Sequence, residues 1–241
     1  MASPTNERLA VLIDADNAQA SIAEELLAEI ARYGTASVKR AYGDWTTQHL
    51  KGWKDHLHKF AIQPVQQFAY TTGKNSTDAS LIIDAMDLLH TGNFDGFCLV
   101  SSDSDFTRLA TRLRESGAIV YGFGEKKTPE PFVSACDKFI YTEILRPQAA
   151  EKAVAAGIPG APPLQQILRT AIEATSRDDG WSPLGAVGNS LLKSYPGFDA
   201  RNYGYAKLGE LTRKQKFVEV KEVATGEGTS ALYVRVKAES K

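Results

Sequence analysis

The sequence has little sulfur: two cysteines, Cys98 and Cys136, and two methionines in 241 residues. Cysteines so few and so far apart exclude a disulfide framework, have no metal-type spacing, and fit a reducing compartment. No apolar run approaches the ~18 residues of a membrane span. The opening MASPTNERLA has no apolar signal core. Neither export nor membrane insertion is therefore expected, and the cytoplasm is the expected location. An excess of one charge is also missing. The 28 Lys+Arg stand against 29 Asp+Glu, a net of -1, so the simplest mark of a nucleic-acid binder, a strongly basic chain, is absent. The 43% hydrophobic and 24% charged residues make a globular composition. The length fits one large domain or two small ones, either with room for a core.

The near-zero total hides an asymmetry. Residues 1–159 carry 16 basic and 20 acidic side chains, a net of -4, and residues 160–241 carry 12 and 9, a net of +3. Such a split points to two modules with different electrostatic tasks. Residues 147–163, PQAAEKAVAAGIPGAPP, hold six Ala, four Pro and two Gly and read as a linker. The expected units are therefore 1–146 and 164–241.

The first unit alternates short apolar strands with helical periods. Strands are expected at 9–13, 37–42, 61–68, 96–101 and 118–123, with a sixth at 138–144. Helices are expected at 24–32, 46–60, 78–90, 106–116 and 131–136. This alternation is that of an α/β fold, a doubly wound parallel sheet of order about 3-2-1-4-5 or its flavodoxin-like relative. The second unit has helices expected at 164–174, 183–192 and 203–215, then alternating strands at 217–223 and 231–236. Three helices and a terminal hairpin make a winged helix.

The informative acids sit directly after buried strands. Asp14 and Asp16 lie in IDADN with Asn17, Asp103 and Asp105 lie in SSDSDF, and Asp78 opens a helix after GKNST. In a doubly wound sheet the crevice lies beyond the carboxyl ends of the strands, where the connections reverse. Order 3-2-1-4-5 puts that reversal between strands 1 and 4, so Asp14 and Asp103 face each other, with Asp78 in reach. Carboxylates gathered in one crevice repel, and a divalent ion relieves them; oxygen-only ligands select Mg²⁺ or Mn²⁺. Bound to a phosphodiester, such a centre supports metal-assisted hydrolysis. Asn17 is placed to orient a carboxylate, a water or a phosphate oxygen. Plainer roles stay open: Asp16 as a turn former, and Asp78 and Asp105 as helix N-caps.

The runs IDADN, GKNSTDASLIIDAMDLL and LVSSDSDF, in this order and spacing, resemble the NYN domain, a PIN-like nuclease fold, over residues 8–146. The LabA-like branch is the nearest. The resemblance implies a metal-dependent ribonuclease with Asp14, Asp78, Asp103 and Asp105 as metal-binding acids and Asn17 beside them. Asp84 matches a recurrent acid of the family. It lies six residues after Asp78, about 120° around the helix, and is expected behind the ligands, as is Asp16. Lys74 resembles the family's lysine in the loop before Asp78. With Arg108, Lys39 and Arg40 it is a candidate for phosphate contact. Ser102 stands where many relatives carry Gly.

Residues of about 164–236 resemble the OST-HTH or LOTUS domain, through GWSPLGAVGNSLLKSYPGFDARNYGYAKLGEL and the hairpin FVEV…LYVRV. That implies RNA binding, single-stranded or structured. A protein partner or a second copy is also open, since some members bind proteins. Arg201, Lys207, Arg213, Lys214 and Lys216 cluster about the third helix and could neutralise phosphates. Tyr203 or Tyr205 could stack on a base. Trp181 is expected in the core. Rival readings fit less well. A dehalogenase-type phosphatase built on Asp14 and Asp16 wants a small residue and then Thr or Val where Asn17 stands. A phosphotransfer receiver wants an acid right after strand 3, where Thr71-Thr-Gly stands. The rival of another class is a catalytically silent RNA-binding or regulatory protein, against which the intact acid set speaks.

Overall fold

A computed structural model describes residues 7–68, 76–146, 157–226 and 229–237. They form two compact units, one on each side of residue 147. No helix among them is long and apolar enough to cross a membrane.

The first unit is built on six strands: β1 (Arg8–Asp14), β2 (Thr35–Gly43), β3 (Gln63–Gln66), β4 (Gly96–Val100), β5 (Ile119–Gly124) and β6 (Lys138–Tyr141). They pair in parallel in the order β3-β2-β1-β4-β5-β6. Leu9 to Ile13 and Phe97 to Val100 are buried on both faces, which is why these central strands read as unbroken apolar runs. The helices are α1 (Ala23–Ile30), α2 (Lys54–Lys59), α3 (Ser76–His90), α4 (Thr107–Glu115) and α5 (Glu130–Ala135). On one face Leu26 and Ile30 of α1 pack with Val11, Ile13, Trp53 and Ile62. α3 packs on β1 and β2, and α4 on β5 and α5. Phe132 sits between Phe106 and Phe139, with ring centroids 6.4 and 5.8 Å away.

Two local expectations change. The segment expected as one helix over 46–60 is a 3₁₀ turn, His49–Trp53, followed by the short α2. Just before it, the Trp45 indole N–H donates to the Val65 carbonyl at 3.0 Å. The third strand is shorter than expected, Gln63–Gln66, and its start is held back because Ala61 turns into positive φ, 49°.

The second unit holds α6 (Leu164–Ala174), β7 (Ser182–Pro183), α7 (Leu184–Ser194), α8 (Leu208–Arg213), β8 (Val218–Gly226) and β9 (Thr229–Val236). The strands form an antiparallel sheet in the order β7-β9-β8. Leu168, Val187, Leu191, Leu211 and Val234 are central to its core. The expected third helix is broken. Ala200–Tyr203 is a 3₁₀ turn ended by Gly204 at φ 81°, and α8 begins only at Leu208. Gly there has no Cβ to oppose the left-handed conformation.

Candidate functional site

The parallel strands all point their carboxyl ends at one edge, and the connection direction reverses between β1 and β4. Asp14 is the last residue of β1 and is fully buried. Burial pushes its carboxyl pKa up, opposed by hydrogen bonds from Ser101 and Asn17 and reinforced by the charge of Asp16. The Ser101 hydroxyl donates to Asp14 Oδ2 at 2.7 Å, and the Asn17 amide donates to the same oxygen at 2.7 Å. Oδ1 of Asp14, buried too, has no hydrogen-bond partner among the described residues. A buried carboxylate oxygen left so is costly unless a cation or a proton meets it.

Ser101 does two things. It donates to Asp14, and its Oγ accepts the Asp103 backbone N–H at 3.1 Å. Its hydroxyl thereby ties the ends of β1 and β4 together. The Asp103 carboxylate turns back to accept the Asp105 N–H at 2.9 Å, capping the 3₁₀ turn Ser104–Phe106. Gly124 sits against this corner. A Cβ there would lie 2.6 Å from the Ser101 carbonyl oxygen and 2.7 Å from the Thr128 hydroxyl, so only Gly permits the approach.

α3 brings the third acid. Asp78 lies in its first turn. One carboxylate oxygen from each of Asp78, Asp103 and Asp105 falls within 4.8 Å of the others. The Asp78 carboxyl is pushed up to about 6, first by partial burial, then by the charges of Asp14, Asp103, Asp105 and Asp16. Four aspartates from two other chain segments thus bear on Asp78. Asp16 links the loop after β1 to α3, accepting the Thr77 hydroxyl at 3.1 Å. Further along α3, Asp84 accepts hydrogen bonds from Arg40 and Tyr42 of β2. Asp84 therefore clamps α3 to the sheet. Burial and the neighbouring Asp84 hold the Tyr42 phenol protonated, its pKa far above the usual range.

A trio of carboxylates at ligand spacing, a buried orphan oxygen and an acid forced up by like charge together fit a hard divalent cation. Asp78, Asp103 and Asp105 would hold it, together with the unpartnered Oδ1 of Asp14, whose charge bears on Asp78.

The expected phosphate contacts divide. Lys74 lies outside the described residues. Arg108 is exposed in the first turn of α4, three residues from Asp105. Lys39 is engaged with the Phe60 carbonyl and Arg40 with Asp84. In the second unit Arg201 is held by Asp199 through two nitrogens, at 3.0 and 2.7 Å, and Arg213 is 3.2 Å from Glu222. Lys207 and Lys214 are exposed beside α8. Tyr203 and Tyr205 pack against the core, with the Tyr203 ring 5.8 Å from that of Phe198. Trp181, expected in the core, instead lies half-buried under Lys221 and Arg235. Ser101 is the site residue that no sequence pattern marks.

Residues 8–145 match the NYN domain and residues 161–229 the OST-HTH/LOTUS domain. NYN domains are in general nucleases, and OST-HTH/LOTUS domains bind RNA. No curated protein matches the chain. Among solved structures, the crystal structure of a protein of unknown function from Vibrio parahaemolyticus is 18% identical, with TM-score 0.48, covering 58% of this chain and 94% of its own. A solution structure of an uncharacterized protein from Nitrosomonas europaea is 36% identical, with TM-score 0.30, covering 36% of this chain and 87% of its own. Another, of a Chromobacterium violaceum protein, is 35% identical, with TM-score 0.29, covering 34% and 89%. The chain belongs to the NYN domain family and carries an OST-HTH/LOTUS domain after it.

Proposed function

We propose that this protein is a ribonuclease that hydrolyses RNA phosphodiester bonds with Mg²⁺ or Mn²⁺, its second unit holding the RNA. The observation that carries the reading is the convergence of Asp78, Asp103 and Asp105 within 4.8 Å beside the buried, half-satisfied Asp14. A bound ion of this class polarises a phosphate oxygen and makes water acidic enough to act as nucleophile near neutral pH. The chain's own residues do the holding. Asn17 and Ser101 fix the Asp14 carboxylate, leaving Oδ1 as the oxygen still to be satisfied. Ser101 and the Asp105 N–H fix Asp103. Asp16 and Asp84 anchor α3, and so the place of Asp78. Arg108, exposed in the first turn of α4 three residues after Asp105, is the candidate to meet an incoming phosphate.

The division of labour follows from charge. The acidic unit alone repels a polyanion, and the basic unit, joined through residues 147–163, raises the local concentration of RNA at the acids. Asp103→Asn keeps the shape and removes one charge. It should abolish Mn²⁺-dependent cleavage of RNA while RNA binding is largely kept. Absence of cleavage by the wild type over several RNAs and metals would leave a binding protein.

A further inference from the structure

The outer face of the C-terminal sheet is organised around two aromatic rings. Val218, Val220, Val234 and Val236 pack into the core. Their neighbours Glu219, Lys221, Tyr233 and Arg235 therefore face the other way, paired as Glu219 with Arg235 and Lys221 with Tyr233. Ser182 is buried against Val234, which puts the preceding Trp181 on the outer face. A tight turn holds Trp181 there. The Arg177 N–H donates to the Trp181 carbonyl at 3.1 Å, and the Trp181 N–H donates to Asp179 Oδ1 at 3.1 Å. Gly180 takes φ 76° between them.

Cations gather over both rings. The Lys221 ammonium lies 4.2 Å from the Trp181 ring centre and the Arg235 guanidinium 4.6 Å from it. Lys221 and Arg177 stand 5.5 and 5.6 Å from the Tyr233 ring. Two of the three cations already face an acid: Arg235 is 2.7 Å from Glu219, and Lys221 3.9 Å from Asp179. Arg177 has no ion pair among the described residues. Both rings are half-buried, so each keeps surface for a further planar partner.

We propose that a single-stranded RNA lays its bases on Trp181 and Tyr233, with Arg177, Lys221 and Arg235 beside them for the phosphates. This rests on the RNA-holding reading of the second unit. It moves the main contact from the α8 cluster to the opposite side of the sheet, since α8 packs on the core face through Leu211. Aromatic stacking accepts every base, so this surface holds RNA with little sequence preference. The stacking on the two rings is itself nearly independent of salt, whereas the contacts of Arg177, Lys221 and Arg235 with phosphates are not.

The test is binding of a labelled, unstructured oligouridylate by the full chain in EDTA, followed by fluorescence anisotropy across a salt series. Trp181→Ala should weaken binding about tenfold at every salt concentration. Trp181→Phe should recover most of the loss. The pair Arg177→Ala with Lys221→Ala leaves the core untouched and should weaken binding several-fold. It decides the question alone if Trp181→Ala does not fold. Wild-type affinity in these variants, with loss in Lys207→Ala and Lys214→Ala instead, would overturn the proposal and leave the RNA-holding reading standing. A wild-type chain that binds no RNA would overturn both.

Discussion

The two units treat charge in opposite ways. In the first, aspartates from three segments are gathered at one end of a buried sheet, three of them within 4.8 Å, and the fold forces Asp78 up to about 6 to keep them there. In the second, cations are paired off: Arg201 with Asp199, Arg213 with Glu222, Arg235 with Glu219. Like charge held together against its own repulsion calls for a ligand. Opposite charges in contact need none. Net charge therefore identifies neither site. The acidic unit is read from unrelieved charge, and the basic one from aromatic rings left at its surface.

Discharging the acidic cluster removes this contrast at its stronger end. Asp78→Asn or Asp103→Asn should lower Mn²⁺-dependent RNA cleavage by more than about 100-fold, the upper cost of losing a residue that only supports a metal site. A gel assay with end-labelled RNA reads it directly.

Next in size is Ser101→Ala. It removes one of the two hydrogen bonds to buried Asp14 and the acceptor for the Asp103 N–H. Metal affinity or cleavage should fall about 10–100-fold, as for other groups that orient ligands, with the Mn²⁺ concentration for half-maximal cleavage rising. Unchanged Mn²⁺ dependence would show that the tie between β1 and β4 does not place the acids.

The second unit gives a smaller effect of a different kind. Lys207→Ala with Lys214→Ala should weaken RNA binding and flatten the dependence of log affinity on log salt, by about one unit for each phosphate no longer neutralised. Trp181 variants should leave that slope alone. Binding measured across a salt series separates the two surfaces.

The smallest effect is on stability. Asp78 titrates near pH 6 in the folded chain and near ~3.9 when unfolded. Between those values the folded chain keeps a proton that the unfolded chain has released. Stability therefore falls as pH rises from about 4 to about 6, and the deficit persists above. The effect is modest because Asp78 is only partly buried and water screens it. In EDTA, thermal melts of the wild type should lose more stability over this range than melts of Asp78→Asn. Mn²⁺ should restore the wild type more at pH 7 than at pH 5.

Much of the first unit is legible in the sequence, because parallel strands buried on both faces must be apolar throughout, as 9–13 and 97–100 are. Chain connectivity narrows the order to 3-2-1-4-5 or its flavodoxin-like relative; the sheet takes the first, and β6 extends it by one edge strand. The acids are legible because a carboxylate right after such a strand has no ordinary reason to be there. Ser101 is not, since a serine at a strand end is commonplace and its role exists only once β1 pairs with β4. The segment 46–60 carries Leu50, Trp53 and Leu57 at helical spacing, yet its first part winds as 3₁₀. Tyr203 and Tyr205 read as available for stacking on an unbroken helix, but Gly204 breaks that helix and the core takes their rings. Trp181 departs from expectation for the converse reason. The two-residue β7 gives too short a pattern to show which way its neighbour faces.

If the aspartates of three segments share one hard divalent ion, the full chain must bind that ion without RNA. Titration of Mn²⁺ into the full chain, followed by the loss of the free-ion electron paramagnetic resonance signal, asks this with no other step between. The wild type should take up Mn²⁺ at a site from which Mg²⁺ displaces it, and Asp78→Asn and Asp103→Asn should each lose that site. Mn²⁺ bound equally well by both variants, or not bound by the wild type, would contradict the shared-ion reading.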